Sequence, residues 1–289
     1  MRLYLLPIST RRTLLYCQKL NAQSAEGKSY VDKTTAWAAK TWAGWEKKEK
    51  GWQKTIVNYG NQAFRRIPYE EWGLKSVPPL SARRRDDEMV GKDKVEVVYP
   101  DTAIPTTKAL GVLQTLATER ASLHKQRLVW CIVGMPISAP FALVPVIPNL
   151  PFFYLVYRAW SHWRALAGGK HIQFLSENSL LSLSPSPTLD KIYPALLSPS
   201  ASSTSTPPSE SPKIGTGASS QDAVQEEERM LLTQEHGRQL VEALEVPELE
   251  VEIERAIFQV ENALKKVQDE KAQAAQSKAV SEEGDKKDK

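Results

Sequence analysis

The sequence predicts a mainly α-helical membrane protein with a short two-stranded β element, and three observations lead to this fold class. A run of thirty residues, 128–157, carries no charged side chain and lies between Arg127 and Arg158. The stretches on either side of it have apolar and aromatic residues at helical spacing. A Ser/Pro-rich segment, 172–220, has little apolar sequence to bury and is predicted to be a disordered linker.

Charge is unevenly distributed along the chain. Residues 1–127 contain 23 basic and 13 acidic side chains, whereas residues 221–289 contain 10 basic and 18 acidic ones. The basic half suits a surface near anionic lipid headgroups, and two solvated surfaces of opposite sign explain the division equally well. Cys17 and Cys131 have neither disulfide nor metal-ligand spacing, which favours a reducing compartment.

The first twenty residues have the composition of a mitochondrial presequence, with four basic residues and no acid before Glu26. The segment near 2–7 also has the alternating pattern of a short strand that ends at Pro7. Residues 9–20 then predict a helix with a polar cap. The two interpretations are compatible if the segment is retained in the mature protein, which is the interpretation preferred here.

One long amphipathic helix is predicted over residues 29–66. Its aromatic residues recur every seven or eight positions and therefore form one stripe. The stripe is suited either to the headgroup level of a membrane or to packing against a neighbouring helix. The residues of the stripe are Tyr30, Trp37, Trp45, Trp52 and Tyr59.

The rest of the basic N-terminal region, 1–127, is predicted to contain a solvated connector over 68–93 and a second strand over 94–99. A helix is predicted to begin after Pro105 and to continue into the charge-free run. An isolated pair of strands is marginally stable. The strand near 2–7 is therefore expected to pair with 94–99 against the long helix, and the region is read as α+β.

Residues 128–167 are predicted to form a membrane-embedded hairpin broken by prolines. Five prolines in the charge-free run exclude one straight helix, and a second helix is predicted over 150–167 with Gly168 and Gly169 as its stop signal. Three basic residues flank the run on each side, which favours a hairpin over the alternative of a single span. The residues assigned to the membrane segment are Leu128, Pro136, Pro140, Pro145, Pro148, Asn149, Pro151 and Tyr157.

Four residues next to this run are candidates for the membrane interface: Arg127, Arg158, His162 and Arg164. His162 beside Arg158 can titrate usefully, although a structural histidine is the commoner case. The sequence contains no Gly-rich phosphate loop, CxxC or HExxH motif. No catalytic residue, metal ligand, cofactor or nucleic-acid partner is predicted.

The acidic C-terminal region, 221–275, is predicted to be helical and divided at Pro247, followed by a disordered tail over 276–289. Apolar residues after Pro247 approach the spacing of a coiled-coil seam. The run is short for an autonomous coiled coil and favours docking onto another helix, in the same chain or in a partner. The seam residues are Leu249, Ile253, Ile257, Val260 and Leu264.

Three blocks of sequence resemble the mitochondrial K+–H+ exchange-related proteins: MRLYLLPIS at the start, IPNLPFFYLVYR at 147–158 with the following AWSHWRALAGGKHI, and PELEVEIERA at 247–256. The resemblance covers most of the chain outside the Ser/Pro segment. It implies a mitochondrial inner-membrane protein linked to the exchange of matrix K+ for protons, and it transfers no catalytic residue.

The function expected from the sequence is that of a component or regulator of K+/H+ exchange, because the charge-free run has no ionisable group to carry ions by itself. Its expected partners are the membrane and other inner-membrane proteins or a second copy, with no small-molecule substrate beyond K+ and H+. The alternative is a membrane-anchored scaffold or assembly factor. A soluble enzyme has no supporting motif.

Overall fold

The computed structural model describes residues 1–18, 37, 40–48, 50–90, 94–140, 150–193 and 228–285. Four strands form one sheet in the order β2-β1-β3-β4. The strands are β1 (Arg2–Pro7), β2 (Thr13–Gln18), β3 (Val95–Tyr99) and β4 (Leu181–Pro185). β1 and β2 are antiparallel, with Leu5 opposite Leu15. β1 is parallel to β3, and β3 is parallel to β4.

Helices cover both faces of this sheet. The labelled helices are α1 (Trp52–Arg65), α2 (Tyr69–Ser76), α3 (Ala82–Met89), α4 (Thr106–Thr118), α5 (Ala121–Ser138), α6 (Leu150–Glu177), α7 (Pro187–Ile192), α8 (Gln234–Leu244) and α9 (Glu250–Asp285). A 3-10 turn, Pro247–Leu249, joins α8 to α9.

Alternation along the strands divides the core in two. Successive side chains of a strand point to opposite faces, so Leu3 and Leu5 of β1 face one side and Tyr4 and Leu6 the other. The first side packs against α4, α6 and the end of α2. The second side packs against α7 and the C-terminal helices α8 and α9. The result is a three-layer α/β/α architecture with the sheet in the middle.

The helix α2 is held between the sheet and α6 by close backbone contacts. A Cβ added to Gly73 would lie 2.4 Å from the carbonyl oxygen of Leu15 in β2. A Cβ added to Gly168 would lie 2.0 Å from the carbonyl oxygen of Leu74 in α2. These two glycines let α2 approach closely on both of its sides, which positions its polar side chains against α6.

The helices α5 and α6 form an antiparallel pair. The ring of His124 near the start of α5 contacts that of His162. Ten residues further along α5, Gly134 lies against Leu155, near the start of α6. Gly168 and Gly169 lie inside α6 and do not end it, because their role is the close approach of neighbouring backbones.

The predicted fold class, a mainly α membrane protein, is wrong. The structure is a mixed α/β fold with a four-stranded sheet. Within the described ranges, no helix combines the length and the apolar character needed to cross a membrane. The described parts of the charge-free run lie mainly in two helices, and both helices extend into charged sequence. α5 begins at Ala121 and includes Lys125 and Arg127, while α6 continues through Arg158 and Arg164.

The prolines assigned to the membrane segment have different positions. Pro136 lies inside α5, which nevertheless continues to Ser138, and Pro140 follows in a 3-10 turn. Pro151 lies in the first turn of α6, where its missing N–H costs no helical hydrogen bond. Pro145, Pro148 and Asn149 lie outside the described residues.

Three local predictions also differ from the structure. Residues 13–18, predicted as helix, form β2. They pair with the free edge of β1, and Leu14 and Leu15 are buried on opposite faces of the sheet. The predicted linker, 172–220, begins too early, since α6, β4 and α7 extend through residue 192. At the other end, α9 continues to Asp285, into the predicted tail.

The single helix predicted over 29–66 is interrupted. Residues 40–46 are helical and α1 begins only at Trp52, after Gly51 with a left-handed φ of 114°. The second helix folds back so that the ring of Trp42 packs on Gly60. Trp45 and Trp52 meet edge to face at 5.5 Å. Tyr30 lies outside the described residues. The other four aromatic residues of the stripe do not form a continuous packed face, since Trp37, Trp52 and Tyr59 are exposed.

Replacement of Gly168 by alanine is expected to destabilise the fold by about 3 kcal/mol or more, because the new methyl group overlaps a backbone oxygen that cannot move freely. Urea unfolding followed by circular dichroism measures this loss. Gly111 in α4 is the matched control, since a Cβ there meets no atom within 4 Å. Gly111→Ala is expected to stabilise the helix by about 0.5–1 kcal/mol. Equal effects of the two variants would contradict the proposed packing of α2 on α6.

Candidate functional site

A cluster of buried polar side chains lies where α2, α5 and α6 meet. Its members are Glu71 and Lys75 of α2, His124 of α5, and Arg158, Ser161 and His162 of α6. Each is at most 8% exposed. Helical spacing places the members of each helix on one side, at i and i+4 in α2 and at i, i+3 and i+4 in α6.

Glu71 is the hub of the cluster. Arg158 donates to both oxygens of its carboxylate, at 2.8 and 3.2 Å, and the hydroxyl of Ser161 donates to one of them. Burial by itself raises the pKa of Glu71, but the hydrogen bond from Ser161 and the charge of Arg158 outweigh burial and lower it. Glu71 is therefore ionised, and its charge is balanced by Arg158.

The hydrogen bonds fix the tautomers of both histidines. Arg158 lies 3.0 Å from Nε2 of His162, and a guanidinium can only donate. Neutral His162 therefore carries its proton on Nδ1, which lies 3.0 Å from Nδ1 of His124. His124 accepts there and carries its own proton on Nε2, which has no hydrogen-bond partner among the described residues.

Both histidines are neutral at neutral pH. Burial lowers the pKa of His162 to about 4, and the charge of Arg158 contributes in the same direction against the opposing effect of Glu71. Burial also lowers the pKa of His124. His124 borders a cavity of about 100 Å³, which is large enough for water.

Lys75 is the second buried cationic side chain of the cluster, beside Arg158. Its Nζ lies 3.5 Å from the ring centroid of Trp72 and 3.3 Å from the hydroxyl of Tyr157. Burial lowers the pKa of Lys75 to about 7, while the charge of Glu71 opposes this effect. Lys75 thus gains and loses its proton near neutral pH, inside the protein.

Three members of the cluster have the donor types of a metal site. One ligand atom each from Glu71, His124 and His162 lies within 4.8 Å of the others, and two histidines with a carboxylate suit Zn²⁺ or Fe²⁺. Arg158, however, holds both oxygens of Glu71. Binding of a metal to Nδ1 of His162 would also leave the proton on Nε2, facing an N–H of Arg158. A metal could therefore bind only if Arg158 moved away.

The structure places the residues predicted for the membrane interface and for the helix seam in different environments. Arg158 and His162 belong to the buried cluster and lie away from the surface that was expected for interfacial residues. Arg127 is exposed, and Arg164 lies beside α2, with an N–H 3.4 Å from the carbonyl oxygen of Lys75. The seam residues Leu249, Ile253, Ile257 and Val260 are buried in the core of the same chain, with Leu264 packed at its edge.

Sequence reasoning missed Glu71 and Lys75, which lie in the segment interpreted as a connector. One signal was available. Residues 120–176 contain no Asp or Glu, so an arginine buried in α6 needs an acidic partner from another part of the chain. The amphipathic segment YEEWGLKS, which follows Pro68, is one of the apolar segments that supply an acidic side chain.

Comparison with known proteins relates this chain to one family. The family model described as mitochondrial K+-H+ exchange-related matches residues 2–176, which include the entire cluster. An uncharacterized protein of Schizosaccharomyces pombe is 28% identical over 193 residues, covering 66% of this chain and 82% of the relative. An uncharacterized protein of Saccharomyces cerevisiae is 27% identical over 203 residues, covering 62% of this chain and 63% of the relative. No solved structure matches the chain significantly.

Replacement of Glu71 by glutamine is expected to lower the free energy of unfolding by about 3–5 kcal/mol, since it leaves the buried charge of Arg158 without a counterion. Urea denaturation at neutral pH measures the change. Glu70→Gln is the matched control, because Glu70 pairs with the partly exposed Arg120 at 2.7 Å and is expected to cost at most about 1 kcal/mol. A loss at Glu71 no greater than at Glu70 would contradict the assignment of Glu71 as the hub.

The histidine pair predicts a loss of stability in acid. The unfolded chain binds more protons than the folded chain below the ordinary histidine pKa of 6.5, so stability falls as the pH decreases. The loss contributed by His162 should begin near pH 6.5 and be complete near pH 4, and protonation of Glu71 adds to it below pH 4.5. His162→Gln, which can still accept from Arg158, should flatten the curve between these values. The test is to measure the free energy of unfolding as a function of pH across this range. His236→Gln, a substitution on α8 outside the cluster, is the control and should give the pH dependence of the wild type.

Proposed function

Since the chain belongs to the mitochondrial K+–H+ exchange-related family, we propose that it acts as a component or regulator of K+–H+ exchange in mitochondria. The single observation that carries this proposal beyond the family is the buried cluster of Glu71, Lys75, His124, Arg158 and His162. A process coupled to protons needs protein groups whose charge follows pH. Such groups are effective where burial perturbs their pKa values and strengthens their mutual interactions.

Arg158 favours the role of a component or regulator over that of the K+ carrier. K+ is bound by oxygen ligands, and the buried carboxylate of Glu71 already has both oxygens engaged by the guanidinium of Arg158. Neutral Lys75 can bind a proton without displacing any member of the cluster, whereas a K+ ion would have to compete with a fixed positive charge. We therefore assign the cluster to proton binding.

Lys75 is the group through which the cluster responds to pH near neutrality. In its protonated form, Lys75 adds a positive charge beside Arg158 and Arg255. In its neutral form, that repulsion disappears. This change would affect the C-terminal helix α9, because Arg255 of α9 lies 4.5 Å from the ring centroid of Trp72, the ring that Lys75 also contacts. A change in pH would thus alter the packing of α9 on α2.

We place this action at the mitochondrial inner membrane. Exchange of matrix K+ for protons is a transfer across that membrane, so a component or regulator must meet the exchange machinery there. Fractionation of mitochondria, followed by detection of the chain in inner-membrane particles, tests this placement. Recovery of the chain exclusively in the outer-membrane fraction would refute it.

Swelling of mitochondria in potassium acetate tests the proposed function. Acetic acid carries protons into the matrix, and swelling follows as these protons leave in exchange for K+. Mitochondria without the chain should swell more slowly, and re-expression should restore the rate. If the rate is unchanged while an inner-membrane complex disassembles, the chain is a scaffold or assembly factor instead.

Lys75→Met should retain the fold and lose most of the pH dependence of swelling between pH 6 and pH 8, because the group that titrates near pH 7 is removed. The matched control is Lys170→Met, which removes an exposed lysine of α6 and should behave as the wild type. Immunoblotting establishes equal amounts of each variant. A Lys75→Met variant with the full pH response would overturn the role assigned to the cluster.

A further inference from the structure

An uncharged two-helix arm extends from the cluster. The arm consists of residues 128–138 of α5 and 151–157 of α6, and it lies beyond Arg127 and Arg158 along the helix pair. Its two helices contact each other through Gly134 and Leu155, and Cys131 and Ser138 are buried. Eight large apolar side chains of the arm are 40–70% exposed: Val129, Trp130, Ile132, Val133, Ile137, Phe153, Tyr154 and Val156.

The exposed apolar area of the arm is larger than an unpartnered surface normally carries. The eight side chains together expose roughly 900 Å², whereas the largest apolar patch of a typical monomer is about 300–600 Å². A standard protein interface buries about 800 Å² on each partner. The arm therefore has the area of one side of a stable interface, and it includes three aromatic residues of the kind enriched at interface centres.

The surface that covers this arm must itself lack charge, because an unpaired charge buried against apolar side chains is costly. Within the described part of the chain, the arm meets that requirement. Other exposed large apolar residues, such as Leu110, Phe258 and Val267, occur singly on helices with charged neighbours. An arm that is charge-free and apolar is complementary to a second copy of itself, as a two-fold interface requires.

We propose that the chain forms a homodimer in which the arms of two copies pack together as a four-helix bundle. On α5, Trp130, Val133 and Ile137 follow the i, i+3, i+7 spacing of residues that pack between helices. On α6, the exposed residues Phe153 and Val156 are three positions apart and therefore lie on one side of the helix. Both helices thus offer a seam to a partner helix in addition to the contact between them.

The charges at the base of the arm select how the arms cross. Lys125 and Arg127 are exposed where the arm begins. A parallel arrangement would bring these residues next to their counterparts in the second copy. An antiparallel arrangement separates them and places each base beside the uncharged end of the other arm. The dimer is therefore antiparallel and uses the middle of the arm, around Val133 and Phe153, as its centre.

Sedimentation equilibrium of the purified full-length chain tests the dimer. The wild type is expected at twice the chain mass of 32.4 kDa at micromolar concentration. Val133→Glu introduces a charge into the interface and should weaken dimerisation by about 100-fold or more, so that this variant is found as a monomer. The circular dichroism spectrum should be unchanged, because Val133 is 47% exposed in the monomer and its replacement leaves the fold of the chain intact.

Phe258→Glu is the matched control, since Phe258 is 54% exposed on α9, outside the arm, and this variant should remain a dimer. A monomeric wild type would overturn the proposal, as would a Val133→Glu variant that dimerises like the wild type. A monomer that instead co-sediments with phosphatidylcholine vesicles, and loses this through Val133→Glu, would identify lipid as the occupant and also refute it. The dimer does not depend on the proposed function, since its test measures mass.

Discussion

The buried ion pair between Glu71 and Arg158 constrains the rest of the structure. Removing these two charges from water is costly, and the cost is offset only when geometry is good and the remaining hydrogen bonds are made. Both conditions require α2 and α6 to lie in one fixed register. The glycine contacts at Gly73 and Gly168 permit that register, and the two histidines and Ser161 complete the hydrogen bonds. The acid resides on α2 because residues 120–176, which include nearly all of α5 and α6, contain no Asp or Glu.

The C-terminal helices connect this cluster to the opposite layer of the fold. They lie beyond residue 176, where the family match ends, yet their apolar seam closes the second face of the sheet. Gln259 of α9 accepts from the backbone N–H of Tyr69 and donates to the carbonyl of Ile67, at 3.0 and 2.8 Å. With Arg255 stacked on Trp72, α9 therefore contacts both the start and the middle of the helix that carries Glu71 and Lys75. In the proposed function, α2 is the element through which protonation of Lys75 would affect the docking of α9.

The charge-free run acquires a different meaning in this fold. Its two helical parts belong to a longer helix pair whose basic half is anchored in the protein by the cluster and whose apolar half extends away from it. The same absence of charge that suggested a membrane segment makes the arm suited to a partner without charge. Its prolines do not prevent this arrangement, because Pro151 occupies a first helical turn and α5 accommodates Pro136.

Local pattern determined much of the secondary structure. The strands near 2–7 and 94–99, the division of the C-terminal helices at Pro247 and their apolar seam all follow from short-range periodicity and from proline, which act within a few residues. The resemblance to the exchange-related family also resides in continuous blocks of sequence. Tertiary structure decided what those patterns could not encode. Leu14 and Leu15 lie in a strand because β1 supplies an edge, the seam of α9 docks in the same chain because the sheet has a second apolar face, and a connector became a helix of the site. The cluster itself joins residues 71, 124 and 158–162, and such a juxtaposition depends on long-range packing of α2 against α6 that no local spacing specifies.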